Sequence, residues 1–148
     1  MKLYLDMCVY NRPFDDQSQP RIMLESQIFI MLLSMISEGR FDLINSFALE
    51  YENSKNPDIE NMLKISDLLG YSTDYISRNE GILDRSLELE KSGLMGMDAV
   101  HIACAEKAKA DFFVTCDNNL IKKLKRIDNI GIVYYNVIDF VSKEVFKI

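Results

Sequence analysis

The chain has 148 residues, 48% apolar and 27% charged, which suits one globular domain over 1–148 with a real core. A net charge of -6 argues against a protein that coats nucleic acid with a basic surface, although carboxylates gathered around a cation would account for part of the excess. The apolar runs are short for a bilayer span, "MKLYLD" is broken by a charge at Asp6, and Cys8, Cys104 and Cys116 lack disulfide or zinc spacing, so a cytoplasmic, reduced protein with no membrane attachment is expected.

"KLYL" (2–5) reads as a strand ending at Asp6. "NRPFDDQSQP" (11–20), with two prolines and two adjacent aspartates, reads as a loop. Apolar residues then recur at helical spacing from Arg21 to Glu38, and Gly39 stops the helix. Its apolar face is wide enough to predict partial exposure of Met31, Leu32 and Met35. "FDLIN" (41–45) is a second strand, and Ser46 is placed to cap a helix through "FALEYEN".

Pro57 and Asp58 open a helix that Gly70 closes. Tyr71–Ser77 suits an edge strand or an extended connection, and 79–92 a further helix. Gly93 and Gly96 form the turn before Asp98, whose segment "DAVHIACAEKAKA" is helical with small residues inside. "DFFVT" (111–115) is a strand, 118–126 a helix, "GIVYY" (131–135) the last strand and "VIDFVSKE" a terminal helix. Strands alternating with helices predict a parallel sheet covered on both faces, with ligands bound beyond the carboxyl ends of the strands.

Asp6 and Asp117 fall at that end of their strands, and Asp98 enters its helix at an element boundary. Acids without a His or Cys cluster suit hard, oxygen-seeking ions such as Mg²⁺ or Mn²⁺, which activate water and stabilise charge on a phosphodiester. Each aspartate also has an ordinary structural reading, as a strand end or as an acid at a helix N-terminus.

The order "LYLDMCVYNR", "INSFALEYE" and "MDAVHIACAEKAKADFFVTCDNNL" resembles the PIN domains, many of them VapC-type toxins, over nearly the whole chain. The resemblance implies a three-layer α/β/α sandwich around about five parallel strands. It also implies a Mg²⁺- or Mn²⁺-dependent endoribonuclease whose metal-binding quartet is Asp6, Glu52, Asp98 and Asp117. Two positions depart from the family pattern: Cys8 where a hydroxyl is common, and Asn119 where many members carry a further acid. A small antitoxin, an RNA substrate and a homodimer are the implied partners.

Helix geometry also separates the two acids after Ser46. Glu50 and Glu52 lie about 200° apart, so only one can face the cleft, and Glu52 shares the inner stripe with Ala48 and Leu49. Arg12, Asn119 and Lys122, the last in the basic run "KKLKR", are the expected substrate contacts, against the plainer reading of a polar loop and a solvated helix face. His101 lies on the Asp98 face of its helix; a packed histidine with one hydrogen bond is favoured over a general base. Two other functions compete. A non-catalytic PIN-like binding module would show missing acids. A phosphoryl-transfer receiver or phosphatase needs a second acid beside Asp6, which "LDMCV" lacks.

Overall fold

Consecutive residues of the inner strands are buried: Leu3, Tyr4 and Leu5 in β1 (Lys2–Leu5), and Phe112 to Thr115 in β4 (Phe112–Thr115). Side chains alternate across a strand, so such a run is possible only when both faces of the sheet are covered. The computed structural model, which describes residues 1–148, has that arrangement. Five parallel strands stand in the order β3-β2-β1-β4-β5, with β2 at Asp42–Ser46, β3 at Asp74–Ile76 and β5 at Val133–Asn136. Register pairs Leu3 with both Leu43 and Phe112. The edge strands β3 and β5 are half-exposed, as their single covered side requires. Helices make the outer layers, so the fold is an α/β/α sandwich.

Chain direction across the sheet reverses between β1 and β4, which opens a crevice at their carboxyl ends. Three helices run to or from that edge. The helix α3 (Phe47–Ser54) starts from Ser46, whose Oγ accepts from the Leu49 amide at 3.1 Å. The helix α6 (Gly96–Lys107) enters through Gly93 and Gly96, both at positive φ, where a side chain would strain the backbone. The helix α7 (Asn118–Leu124) is capped by Asp117. The helices α4 (Ile59–Leu69) and α5 (Glu80–Lys91) begin at Asp58 and Asn79 caps.

The segment expected to be a loop is more ordered than its composition suggests. Asp6 caps a short helix, α1 (Met7–Asn11), which runs on into a 3-10 turn at Arg12–Phe14. Only Asp15–Gln19 remains irregular before α2 (Pro20–Ser37). The terminal helix is also shorter: α8 (Val137–Phe140) passes into a π turn at Val141–Val145.

The apolar face of α2 is rotated from the expectation. Leu32 and Met35 are core residues, Met31 is half-buried, and the exposed apolar side chains are Met23, Leu24 and Ile30. By length and mean hydropathy (1.2 over 18 residues) α2 reaches the range of a membrane span, which the short apolar runs concealed. Its inner face nevertheless packs into the core, as a core helix does. It also carries Glu25, whose side chain is fully enclosed.

Glu25 holds α2 to the 3-10 turn. Arg12 Nε donates to its Oε1 at 2.9 Å, and Arg21 Nε donates to its Oε2 at 3.3 Å. Arg12→Ala would leave this buried carboxylate with the longer contact alone, and we expect a loss of about 2–3 kcal/mol in urea unfolding. Arg21 is half-exposed, and Arg21→Ala should cost less than about 1 kcal/mol in the same measurement.

Candidate functional site

Asp6 leaves β1 buried, at 7% exposure, yet fully supplied with donors. Its Oδ1 accepts from the Met7 amide at 2.9 Å, and its Oδ2 from Thr115 Oγ1 at 2.8 Å. The Cys8 thiol reaches the same oxygen only at 3.5 Å. The hydroxyl missing at Cys8 is thus provided from across the sheet by Thr115. Burial and neighbouring acceptors push the Cys8 thiol well above its ordinary range, with the Cys116 side chain the largest influence, so it stays protonated and able to donate.

Thr115 also accepts from the Asp117 amide at 3.0 Å, which fixes the turn between β4 and α7. Asp117 is exposed, and its Oδ1 caps α7 by accepting from the Asn119 and Leu120 amides at 2.9 and 3.2 Å. Capping uses one oxygen and leaves Oδ2 free for a ligand.

Glu52 and Glu50 point apart. Glu52 Oε1 lies 2.7 Å from His101 Nε2, on the site side, whereas Glu50 accepts from Tyr75 Oη at 2.8 Å on the exterior. His101 is 1% exposed, and both of its ring nitrogens are partnered, one more than the sequence suggested. Nδ1 meets Tyr4 Oη at 2.7 Å, and Tyr4 Oη meets Ser46 Oγ at 2.7 Å. Asp6 Oδ1 lies 4.0 Å from His101 Nε2. Burial by itself would hold the imidazole neutral. The Glu52 hydrogen bond and the charges of Asp6, Glu52 and Asp98 outweigh it and raise the His101 pKa above its usual value.

Asp98, half-buried in the first turn of α6, has no hydrogen-bond donor from the protein. Burial, then the charges of Asp6 and Asp117, raise its pKa to about 6, against partial relief from His101 and Lys123. The charges of Asp6 and Asp117 reach Asp98, and those of Asp6, Glu52 and Asp98 reach His101, so the four acids neighbour one another at the carboxyl-end side of the sheet. The four offer hard oxygen donors of the kind a divalent cation takes, with free oxygens on Asp98 and Asp117. No three of these side chains, as they stand, already close on a single point at ligand distance.

The residues expected to meet substrate lie at the rim. Asn119 and Lys122 are exposed on α7, whereas Lys123, half-buried, is the lysine whose charge reaches Asp98. Arg12 is largely committed: besides Glu25 it donates through Nη1 to Asp15 Oδ2 at 2.9 Å. Sequence spacing gave no hint of the Tyr4–His101 or Arg12–Glu25 pairing. Lys123 was within reach, since it lies six residues past the cap of α7 and so on another face from Lys122.

No protein-family model matches the chain, and no curated protein matches it in sequence. Among solved structures it is similar to a chain in the crystal structure of VapBC2 from Rickettsia felis bound to a DNA fragment from their promoter. The TM-score is 0.56 at 20% identity, over 92% of this chain and 98% of that one. At this identity the likeness is one of fold.

The raised pKa of Asp98 has a defined sign. In the unfolded chain Asp98 loses its proton near the ordinary value of 3.8, but in the fold only near 6. The fold therefore loses stability as pH rises between these values, and the loss is complete above them. Asp98→Asn should be more stable than wild type by about 1 kcal/mol at pH 7.5 in chelator, once solvent screening of a half-exposed group is allowed for, with no gain below pH 4. Thermal unfolding across that pH range measures it.

Proposed function

We propose that this chain is a divalent-metal-dependent endoribonuclease of PIN type. The observation that carries the reading is the gathering of Asp6, Glu52, Asp98 and Asp117 beyond β1 and β4, where three acids have protein donors and Asp98 has none. Such a set is tolerable with raised pKa values or with a cation, and the oxygen donors suit Mg²⁺ or Mn²⁺. Bound there, the ion would supply activation of water and neutralisation of charge on the scissile phosphate.

The chain's own residues do the rest. Thr115 and the Met7 amide fix the Asp6 carboxylate, and His101 fixes Glu52 in one orientation. Lys123 supplies a positive charge beside Asp98. Asn119 and Lys122 at the rim, with the remaining cations of "KKLKR", take the RNA backbone, and Arg12 offers its unpaired Nη2.

The toxin of a toxin–antitoxin pair is the biological setting that the fold likeness to a VapBC2 chain supports. An apolar groove of about 330 Å³ between α2 and the C-terminal turns, with Phe146 60% exposed, is a surface on which a small antitoxin or a second copy would be held. A short DNA-binding reading frame directly upstream would support this setting.

A non-catalytic binding module is the second reading, favoured by one observation: no three acids yet converge on an ion. The two differ in a cleavage assay on structured and unstructured RNAs with Mg²⁺, Mn²⁺ or chelator. Cleavage that needs metal and vanishes in Asp6→Asn supports the nuclease; metal-independent RNA binding without cleavage supports the module.

The two glutamates provide a sharper comparison. Glu52→Gln should lower cleavage by about a hundredfold or more, since it removes one charged donor from the site. Glu50→Gln should change cleavage less than about threefold, as expected for an exposed residue outside the site. Single-turnover rates on one RNA distinguish them.

A further inference from the structure

Beside Glu52, and lined by none of the other three acids, a cleft of about 390 Å³ opens between α1, the 3-10 turn and the α3–α4 connection. Its lining is notable for four asparagines: Asn11, Asn53, Asn56 and Asn61. We propose that this cleft holds the nucleobase adjoining the phosphate cut at the acid site, and reads it through Asn11, Asn56 and Asn61. The inference rests on the nuclease reading above and adds base selectivity to it.

Three features argue for a base. First, the cleft is polar and its two acids are engaged: Glu52 is hydrogen-bonded to His101 and Asp15 is ion-paired with Arg12, while Lys55, the one cation in the lining, lies over the Tyr51 ring at 5.1 Å. A phosphate would meet a single cation beside two acids there, and an apolar ligand would need a greasier wall. Second, neutral amides carry a donor and an acceptor side by side, as the edge of a base does. The Asn11 and Asn61 amides are half-buried and make no hydrogen bond within the protein. Asn56 uses its oxygen on the Asp58 amide at 3.0 Å and keeps its NH₂ free. Half-buried Phe14 adds an aromatic surface against which a base can stack.

The third feature is Asn53, at 6% exposure. Its Nδ2 donates to the Met62 carbonyl at 3.0 Å, but its buried Oδ1 has no partner. Orphaned buried acceptors are uncommon, and each calls for a partner or another explanation. Asn53 lies between this cleft and a smaller hollow of about 180 Å³ at α3 and α4, and lines both. Because Glu52 belongs to both cleft and acid site, a nucleotide whose phosphate sits at the acids has its neighbour's base at this opening.

The test uses the full chain, Asn11→Ala/Asn61→Ala and, as a shape-preserving control, Asn61→Asp. Single-stranded RNA hexamers of A, C or U are bound in chelator and followed by fluorescence anisotropy, and cut sites are mapped on random-sequence RNA with Mn²⁺. Wild type should prefer one base by about tenfold, in line with the discrimination of one good bidentate contact. The double variant should lose that preference while binding the weakest hexamer as before, and Asn61→Asp should change which base is preferred. Equal affinity of wild type for all hexamers, or a preference unchanged in the double variant, overturns the subsite. Selective binding lost in the double variant, with no cleavage by wild type, supports the subsite and defeats the nuclease reading. RNA binding unaffected by the variants, with loss of a small partner protein encoded alongside, overturns the subsite in favour of a protein interface.

Discussion

His101 stands where the core ends and the site begins. One ring nitrogen is turned to Tyr4 inside the sheet and the other to Glu52 at its edge. The Glu52 carboxylate can only accept, so Nε2 carries a proton. With a neutral ring the remaining donors run one way, from Ser46 Oγ to Tyr4 Oη to His101 Nδ1, and the Leu49 amide closes the chain on Ser46. A hydroxyl on β1, the cap of α3 and a ring on α6 therefore fix one carboxylate. The orientation of α3, and with it the choice of Glu52 over Glu50, follows from that network.

The same logic accounts for the uneven treatment of the four acids. Asp6 is compensated by an amide and a hydroxyl, Asp117 by two amides, and Glu52 by an imidazole. Asp98 receives only distant charge and shows the strain in its raised pKa. A fold selected for stability alone would place a donor there or remove the acid, because an uncompensated half-buried carboxylate favours unfolding. The unfilled demand for positive charge is localised at one residue, which is what the proposed cation site would require.

Most of the framework was legible because its punctuation is local. Pro20, Gly39, Ser46, Asp58 and Gly93 each mark a boundary through their own backbone or capping preferences. The failures are long-range. α1 was missed because Asp6 was read only as the end of a strand, although the same carboxylate caps the next helix. Met35 and Leu32 proved to be core, with α2 tied to the 3-10 turn through Glu25 and Arg12, a pairing no periodicity predicts. Tyr4 and Ser46 lie 97 and 42 residues from their partners in the histidine network, beyond any spacing rule. The asparagines of the cleft come from two segments, 11 and 53–61; only the local richness of "ENSKNP" could have drawn notice.

On the nuclease reading proposed above, location would reconcile a net charge of -6 with a polyanionic substrate. Four of the 23 acids form the site, which leaves 19 against 17 basic residues over the rest of the chain. With those four charges set aside, the remainder is close to balance, and "KKLKR" on and after α7 provides positive surface. On that reading, attraction of the backbone and selection of a base would be carried by different chemistry. Exposed lysines would act at the rim through salt-sensitive charge, and half-buried amides within the cleft, where a free charge would cost more to desolvate. Raised salt should accordingly weaken RNA binding without altering which base is preferred, since only the first of these contributions is screened.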